Sequence, residues 1–181
     1  MSKPTIITIS GKAQHGKTTF AEYLRLKLAE DYQVKIIPFA KGVKKEGKKF
    51  GWDGEKDNNG RVLLQLVGDF YRQIYGNEIW IKKTEEQFNN EDFIIIDDCR
   101  YINEATYFKN RRYNQTNVRI ERFNMGGTVF DNGLSKESKN HISETELDNF
   151  DFDYLFNNFT IEQLKGDAEL FARELRINQY E

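Results

Sequence analysis

Ile6-Ile7-Thr8-Ile9 is a β-branched run that ends at Ser10-Gly11, and the residues Gly11-Lys12-Ala13-Gln14-His15-Gly16-Lys17-Thr18-Thr19 contain the spacing G-x-x-x-x-G-K-T. Few stretches constrain a chain more, because the spacing demands a strand, a tight loop and a helix in that order. Glycines at 11 and 16 let the backbone curl until successive N–H groups point inward at phosphate oxygens. Lys17 carries a mobile positive charge to the β- and γ-phosphates, and the Thr18 hydroxyl is placed to ligate Mg²⁺. The helix that follows turns its positive end toward the same anion. Both flanks are present. Phe20, Leu24 and Leu28 recur at helical spacing, with Glu22, Arg25 and Lys27 on other faces, which is an amphipathic helix. Gly11 to Thr19 are therefore expected to hold a nucleoside triphosphate.

With 181 residues the chain can form one α/β domain that buries roughly 70% of its unfolded surface. A formal net charge of −2 and a pI near 5.8 do not favour a stable nucleic-acid complex or an anionic membrane. The charge is uneven: ten acidic and three basic residues follow Ser143 inclusive, whereas Lys41–Lys49 holds five lysines and one glutamate. The single cysteine, Cys99, excludes an internal disulfide and suits a reducing compartment. No apolar run approaches the roughly 20 residues of a membrane span, and Met1–Pro4 leads directly into the first strand without a recognisable signal peptide. A cytoplasmic protein is expected.

Further strands are expected at Val34–Pro38, Phe93–Ile96, Val118–Arg122 and Tyr154–Asn157. Phe93–Ile96 is continuously apolar, as in a strand covered on both faces. Helices are expected over Arg61–Ile74, Glu78–Phe88 and a closing segment carrying Ile161, Leu164, Ala168, Phe171 and Leu175. Lys41–Gly60 and Phe123–His141, rich in Gly, Asn, Asp and Lys, read as mobile segments. Strands alternating with helices predict three layers: a central, mostly parallel five-stranded sheet with helices on both faces. In such sheets ligands gather beyond the C-terminal strand ends, where the phosphate loop and Asp97-Asp98 both fall.

A carboxylate at that place can hold Mg²⁺ directly or through water; the alternative is that Asp97 and Asp98 cap the next helix. Arg100 offers a two-pronged phosphate contact, and Arg122 ends a strand just before the mobile stretch. On the Arg61–Ile74 helix, Leu63, Leu66, Val67, Phe70 and Ile74 form an apolar stripe fit for a core or a partner, so a homodimer is possible. Arg61, Gln65, Asp69 and Arg72 form a polar stripe that is either solvated or substrate-facing. Gln65 can exchange two hydrogen bonds with a base edge. Trp80 can stack on a base or fill the core, and Lys44 sits in the lysine-rich segment. Ser143 with Glu146 reads as a helix capping box, and His15 as a filler of a variable loop position. Gly126-Gly127, Asn132-Gly133, Lys136 and Lys139 suit a short lid.

Taken in order, the loop, Arg61-Val62-Leu63-Leu64-Gln65, Ile79-Trp80, Asp97-Asp98-Cys99-Arg100-Tyr101-Ile102-Asn103-Glu104 and His141-Ile142-Ser143-Glu144 resemble the bacteriophage-type deoxynucleoside monophosphate kinases, a branch of the P-loop nucleoside monophosphate kinases. The likeness runs from Ile6 to Asn157. It implies transfer of the ATP γ-phosphoryl group to a deoxynucleoside 5′-monophosphate, in the host cytoplasm if phage-encoded. It implies a P-loop core (1–40, 91–122, 150–181), an acceptor-binding helical region (41–90) and a lid (123–141). ATP would lie on Gly11–Thr19 with Mg²⁺ on Thr18, Asp97 and Asp98. Lys44, Arg61, Gln65, Arg72, Trp80, Asp97 and Arg100 would serve the acceptor, and Lys17, Asp98, Arg100 and Arg122 the transfer itself. The lid departs from the pattern in carrying lysines but no arginine. Animal-type phosphomevalonate kinases share a similar order of motifs. A kinase acting on a modified DNA base or a phosphorylated metabolite, and a slow non-kinase ATPase module, are the competing readings.

Overall fold

The computed structural model describes residues 3–55 and 57–178. Five strands, β1 (Thr5–Ser10), β2 (Val34–Ile36), β3 (Phe93–Ile96), β4 (Gln115–Arg122) and β5 (Tyr154–Asn158), pair in the order β2-β3-β1-β4-β5. All four pairings are parallel. Because β1 lies at the centre, the chain leaves it first for the β2 edge and later for the opposite edge. The strand order thus reverses at β1, and a crevice opens beyond its C-terminal end.

Alternation along the strands builds two cores. Ile7, Ile9, Phe93, Ile95, Val118 and Ile120 face α1 (Lys17–Leu28) and α8 (Ile161–Asn178), burying Phe20, Leu24, Leu28, Leu164, Phe171 and Leu175. Ile6, Ile94 and Ile96 face the other way, toward α2 (Ala40–Lys49), α3 (Asn58–Tyr75), α4 (Ile79–Glu85) and α5 (Ile102–Asn110). A parallel sheet covered on both faces needs this double supply of apolar side chains.

Three expectations change. Lys41–Gly60 is not a loop throughout, since its first half is α2. Apart from Val43 its buried positions are Glu46 and Gly47, so apolar periodicity gives no signal. A Cβ at Gly42 would come within 2.9 Å of the Trp80 ring, and one at Gly47 within 2.8 Å of Leu64. Second, β4 begins three residues before Val118. Gln115 and Asn117 are buried polar residues: Thr8 Oγ1 donates to Asn117 Oδ1 (2.5 Å) and Gln115 Nε2 to Ala105 O (2.8 Å). The partner of Asn117 lies 109 residues away and that of Gln115 back in α5, and an apolar period can show neither. Third, the apolar stripe of α3 divides. Val67 is buried, with Leu63 and Leu64 packed on the core, whereas Leu66, Phe70 and Ile74 are 63%, 53% and 57% exposed.

The segment between β4 and β5 holds two short helices, α6 (Lys136–Asn140) and α7 (Ile142–Thr145). Before them Phe123 bridges Val129 antiparallel, making a small hairpin. The cap of α7 is His141, whose side chain accepts from Ser143 N. The expected Ser143–Glu146 box is absent because Glu146 is used elsewhere: its Oε1 accepts Ile102 N at 2.9 Å and so caps α5.

Candidate active site

The loop between β1 and α1 adopts the backbone its glycines allow. Gly11 (φ 140°) and Gly16 (φ 99°) lie in the left-handed region, which suits a residue without a Cβ. At Gly11 the restriction is also steric, since a Cβ would sit 2.3 Å from the carbonyl oxygen of Ile120. Gly11→Ala is therefore expected to displace β4 or the loop, lowering nucleotide affinity at least tenfold by calorimetry. An unchanged affinity would mean that the loop does not need this close approach.

Lys17 begins α1, and its Nζ donates to Gly11 O and Lys12 O, both at 2.7 Å. Burial, followed by the repulsion of Arg100, pushes its ammonium down to about 7. Thr18 Oγ1 donates to Asp97 Oδ2 at 2.8 Å, joining the end of the loop to the residue that follows β3. Asp98 is used differently. Its two oxygens accept Phe39 N and Ala40 N, each at 2.8 Å, and so close the start of α2. The helix-cap reading of the pair thus fits Asp98, but for α2 rather than the helix that follows. Burial and the adjacent Asp97 charge raise its carboxyl.

A cleft of about 840 Å³ opens here. It is lined by Lys17, Thr18, Asp97 and Arg100 and equally by Lys44, Arg61, Gln65 and Arg72, so α2 and α3 bring the expected acceptor residues opposite the phosphate loop. The Arg72 guanidinium lies 3.9 Å over the Tyr101 ring, with Asp69 Oδ1 at 3.3 Å and Glu104 Oε1 at 3.4 Å. Glu104 is buried and accepts Arg100 N at 2.8 Å and Tyr101 N at 3.2 Å. Desolvation lifts its carboxyl to about 7, against the pull of Arg72.

Other expected residues are turned to structural work. Trp80 is 1% exposed, and its indole N–H donates to Gly68 O at 3.2 Å. It forms cleft wall as part of the core. Arg122 is exposed and does not line the cleft; its guanidinium rests 4.0 Å from the centroid of Phe130, in the segment after β4. His15 is buried: Nδ1 accepts Arg122 N at 3.2 Å, which leaves Nε2–H to face Phe130 O at 3.3 Å. Burial, foremost, lowers its pKa. Lys12 pairs with Asp148 at 2.5 Å. Lys12 and His15 line a separate hollow of about 300 Å³ with Phe130, Asp131 and Asn132.

The segment 123–141, expected to be a lid, lines the cleft with Leu134 and Ser138. Ser138 is buried, and its hydroxyl has no hydrogen-bond partner among the described residues. Neither carried a sequence signal. Glu144, whose carboxylate meets Arg100 Nη1, also lines the cleft; it was visible only as part of the His141–Glu144 motif. Among the described residues no group of three or more His, Cys, Asp and Glu can hold a metal ion. Thr18 and Asp97, two hard oxygen donors at one point, suit an ion that takes its remaining ligands from phosphates and water, as Mg²⁺ does.

No known protein-family profile matches the chain. Over 108 residues it is 32% identical to UPF0200 protein MMP1282 of Methanococcus maripaludis, covering 58% of this chain and 54% of that protein. UPF0200 proteins MmarC7_0527 and MmarC6_1392, from two further strains of that organism, are 30% identical over the same length. The chain spans about half the length of these curated relatives. Among solved structures, shikimate kinase from Bacteroides thetaiotaomicron overlaps with a TM-score of 0.45 and 16% identity, over 95% of this chain and 98% of that one. So loose an overlap carries no argument about chemistry.

Proposed function

We propose that the protein transfers the γ-phosphoryl group of ATP to the 5′-phosphate of a deoxynucleoside monophosphate, releasing ADP and a deoxynucleoside diphosphate. The observation that carries this reading is the single cleft lined by the phosphate loop and Thr18–Asp97 on one side and by Lys44, Arg61, Gln65 and Arg72 on the other. A slow ATPase module needs the first half alone.

The loop amides and Lys17 hold the donor phosphates, and Arg61 or Arg100 offers the acceptor phosphate its charge, beside an Arg72 already paired with Asp69 and Glu104. Gln65 supplies an amide able to pair with a base edge. The acceptor phosphate is already an oxyanion, so transfer needs no general base. Catalysis is alignment in line and neutralisation of charge on the equatorial oxygens. Lys17 and Arg100 are the cations in place for that. Mg²⁺, when bound through Thr18 and Asp97, supplies charge neutralisation on the donor phosphates.

ADP release is to be measured with each deoxynucleoside monophosphate, with the matching ribonucleotide and without acceptor. Stimulation by one or a few deoxynucleotides is expected. A flat response would move the proposal to a DNA or small-metabolite acceptor, or to a simple ATPase.

Two tests separate the carboxylates and the lysine. Asp97→Asn should raise the Mg²⁺ concentration at half-maximal activity at least tenfold with little change in melting. Asp98→Ala should cost about 1–2 kcal/mol in urea unfolding, through the orphaned amides of α2. Equal effects of the two on Mg²⁺ dependence would contradict the division. For Lys17, bound triphosphate favours the charged form, while the free protein holds the amine neutral above about pH 7. ATP·Mg²⁺ binding should then take up close to one proton at pH 8.5 and almost none at pH 6, with affinity falling as pH rises between them. Calorimetry in buffers of different ionisation enthalpy reads this directly, and zero uptake at pH 8.5 would show that the free lysine is charged.

A further inference from the structure

Arg100 is held at both ends. Its backbone N–H is fixed by Glu104, and its Nη1 donates to Ser143 O at 3.1 Å and to the Glu144 carboxylate. Among the described residues both side-chain contacts fall on Nη1, so the Nη2 and Nε hydrogens remain for a phosphate in the cleft. Only the planar five-donor fork of arginine permits this division. The Glu144 side chain is 7% exposed. A carboxylate so desolvated is costly unless it is paired, and in a cleft built for anions it opposes the ligand's charge unless it serves a purpose.

The residues around Glu144 are tied to both walls. Lys12 Nζ donates to Glu144 O and pairs with Asp148, which joins the strap 141–148 to the phosphate loop. Asp148 also meets Arg119 at 3.3 Å. At the strap's other end His141 Nδ1 accepts Ser143 N, so Nε2 carries the hydrogen that faces Asp69 Oδ2 at 3.0 Å. Asp69 belongs to α3, the helix that carries Arg61, Gln65 and Arg72. The strap therefore spans from the acceptor wall to the donor loop and grips Arg100 midway.

We propose that Glu144 is the positioning residue for Arg100, presetting the guanidinium so that its outer edge meets the phosphates without being ordered anew at each turnover. The assignment rests on the phosphoryl-transfer reading of the cleft. An arginine held in this way loses less rotamer freedom on binding. Removing Glu144 should leave Arg100 charged and present but unaimed.

The test is a double-mutant cycle of Glu144→Ala and Arg100→Ala, with Glu144→Gln as a variant of the same size, each checked for an unchanged melting temperature. Glu144→Ala should lower kcat 10- to 100-fold with less than a threefold change in KM for ATP, and Glu144→Gln less. In the Arg100→Ala background, Glu144→Ala should cost less than threefold further, since there is no guanidinium left to aim. The cycle is read a second time as calorimetric affinity for inorganic pyrophosphate, which needs the cleft cations and no acceptor. Additive losses in that second readout, or tighter pyrophosphate binding in Glu144→Ala, overturn positioning; the latter would show that the carboxylate merely blocks the seat. A wild type that transfers to no acceptor, with a non-additive pyrophosphate cycle, keeps the positioning role and overturns the kinase reading instead.

Discussion

Lys17→Ala should lower acceptor-stimulated turnover by about 10³-fold or more while leaving the fold intact or slightly more stable. The two halves of this expectation have one cause. Lys17 Nζ sits in a loop whose carbonyls at Gly11 and Lys12 hold it at 2.7 Å, with burial pushing its pKa down to about 7. A depressed lysine pKa means that the folded state disfavours the charge, so alanine removes a burden on folding. Transfer, by contrast, needs that charge beside the phosphates, in a site where reduced solvent strengthens each electrostatic contact. Thermal melting together with ADP release measures both halves. Full activity in Lys17→Ala would remove the loop from the chemistry. A collapse in melting temperature would show that the lysine is structural.

Arg100→Ala is expected to cost about 10³-fold in kcat, at the low end of what an arginine facing a transferring phosphoryl group supplies. Arg100→Lys should recover less than a tenth of this, because an ammonium cannot meet Glu144 on one edge and phosphate oxygens on another. The loss belongs in kcat more than in KM, since charge on the equatorial oxygens is redistributed only in the transition state. If Arg100→Ala instead raised KM for the acceptor a hundredfold at constant kcat, the arginine would be a binding group alone. By comparison Arg122→Ala should change turnover less than about threefold, because that guanidinium rests on Phe130.

What the sequence makes legible is what chain-local physics governs. The loop, its strand and its helix are each set by neighbours within a few residues, and their positions follow from glycine spacing and apolar period. The polar stripe Arg61, Gln65, Arg72 was readable as one face but not as a cleft wall, because that depends on α3 lying across from β1. Asp97 and Asp98 are adjacent and chemically identical. Only the arrival of Phe39 and Ala40 at one of them, from 59 and 58 residues away, separates a helix cap from the partner of Thr18. Helix α2 carries no apolar period because two of its buried positions are a glutamate and a glycine, and the start of β4 carries none because Gln115 and Asn117 are polar side chains buried by specific hydrogen bonds. Arg122 ends its strand as expected, yet its side chain rests on an aromatic ring eight residues on, away from the cleft.

The most direct measurement is identification of the product. ATP·Mg²⁺ is incubated with the deoxynucleotide that best stimulates ADP release, and the mixture is resolved by ³¹P NMR. A matched pair of new α and β resonances from a deoxynucleoside diphosphate, growing in step with ADP and absent with Lys17→Ala, is the predicted result. Free inorganic phosphate growing in step with ADP, with the monophosphate resonance unchanged, would contradict phosphoryl transfer and make the protein an ATPase.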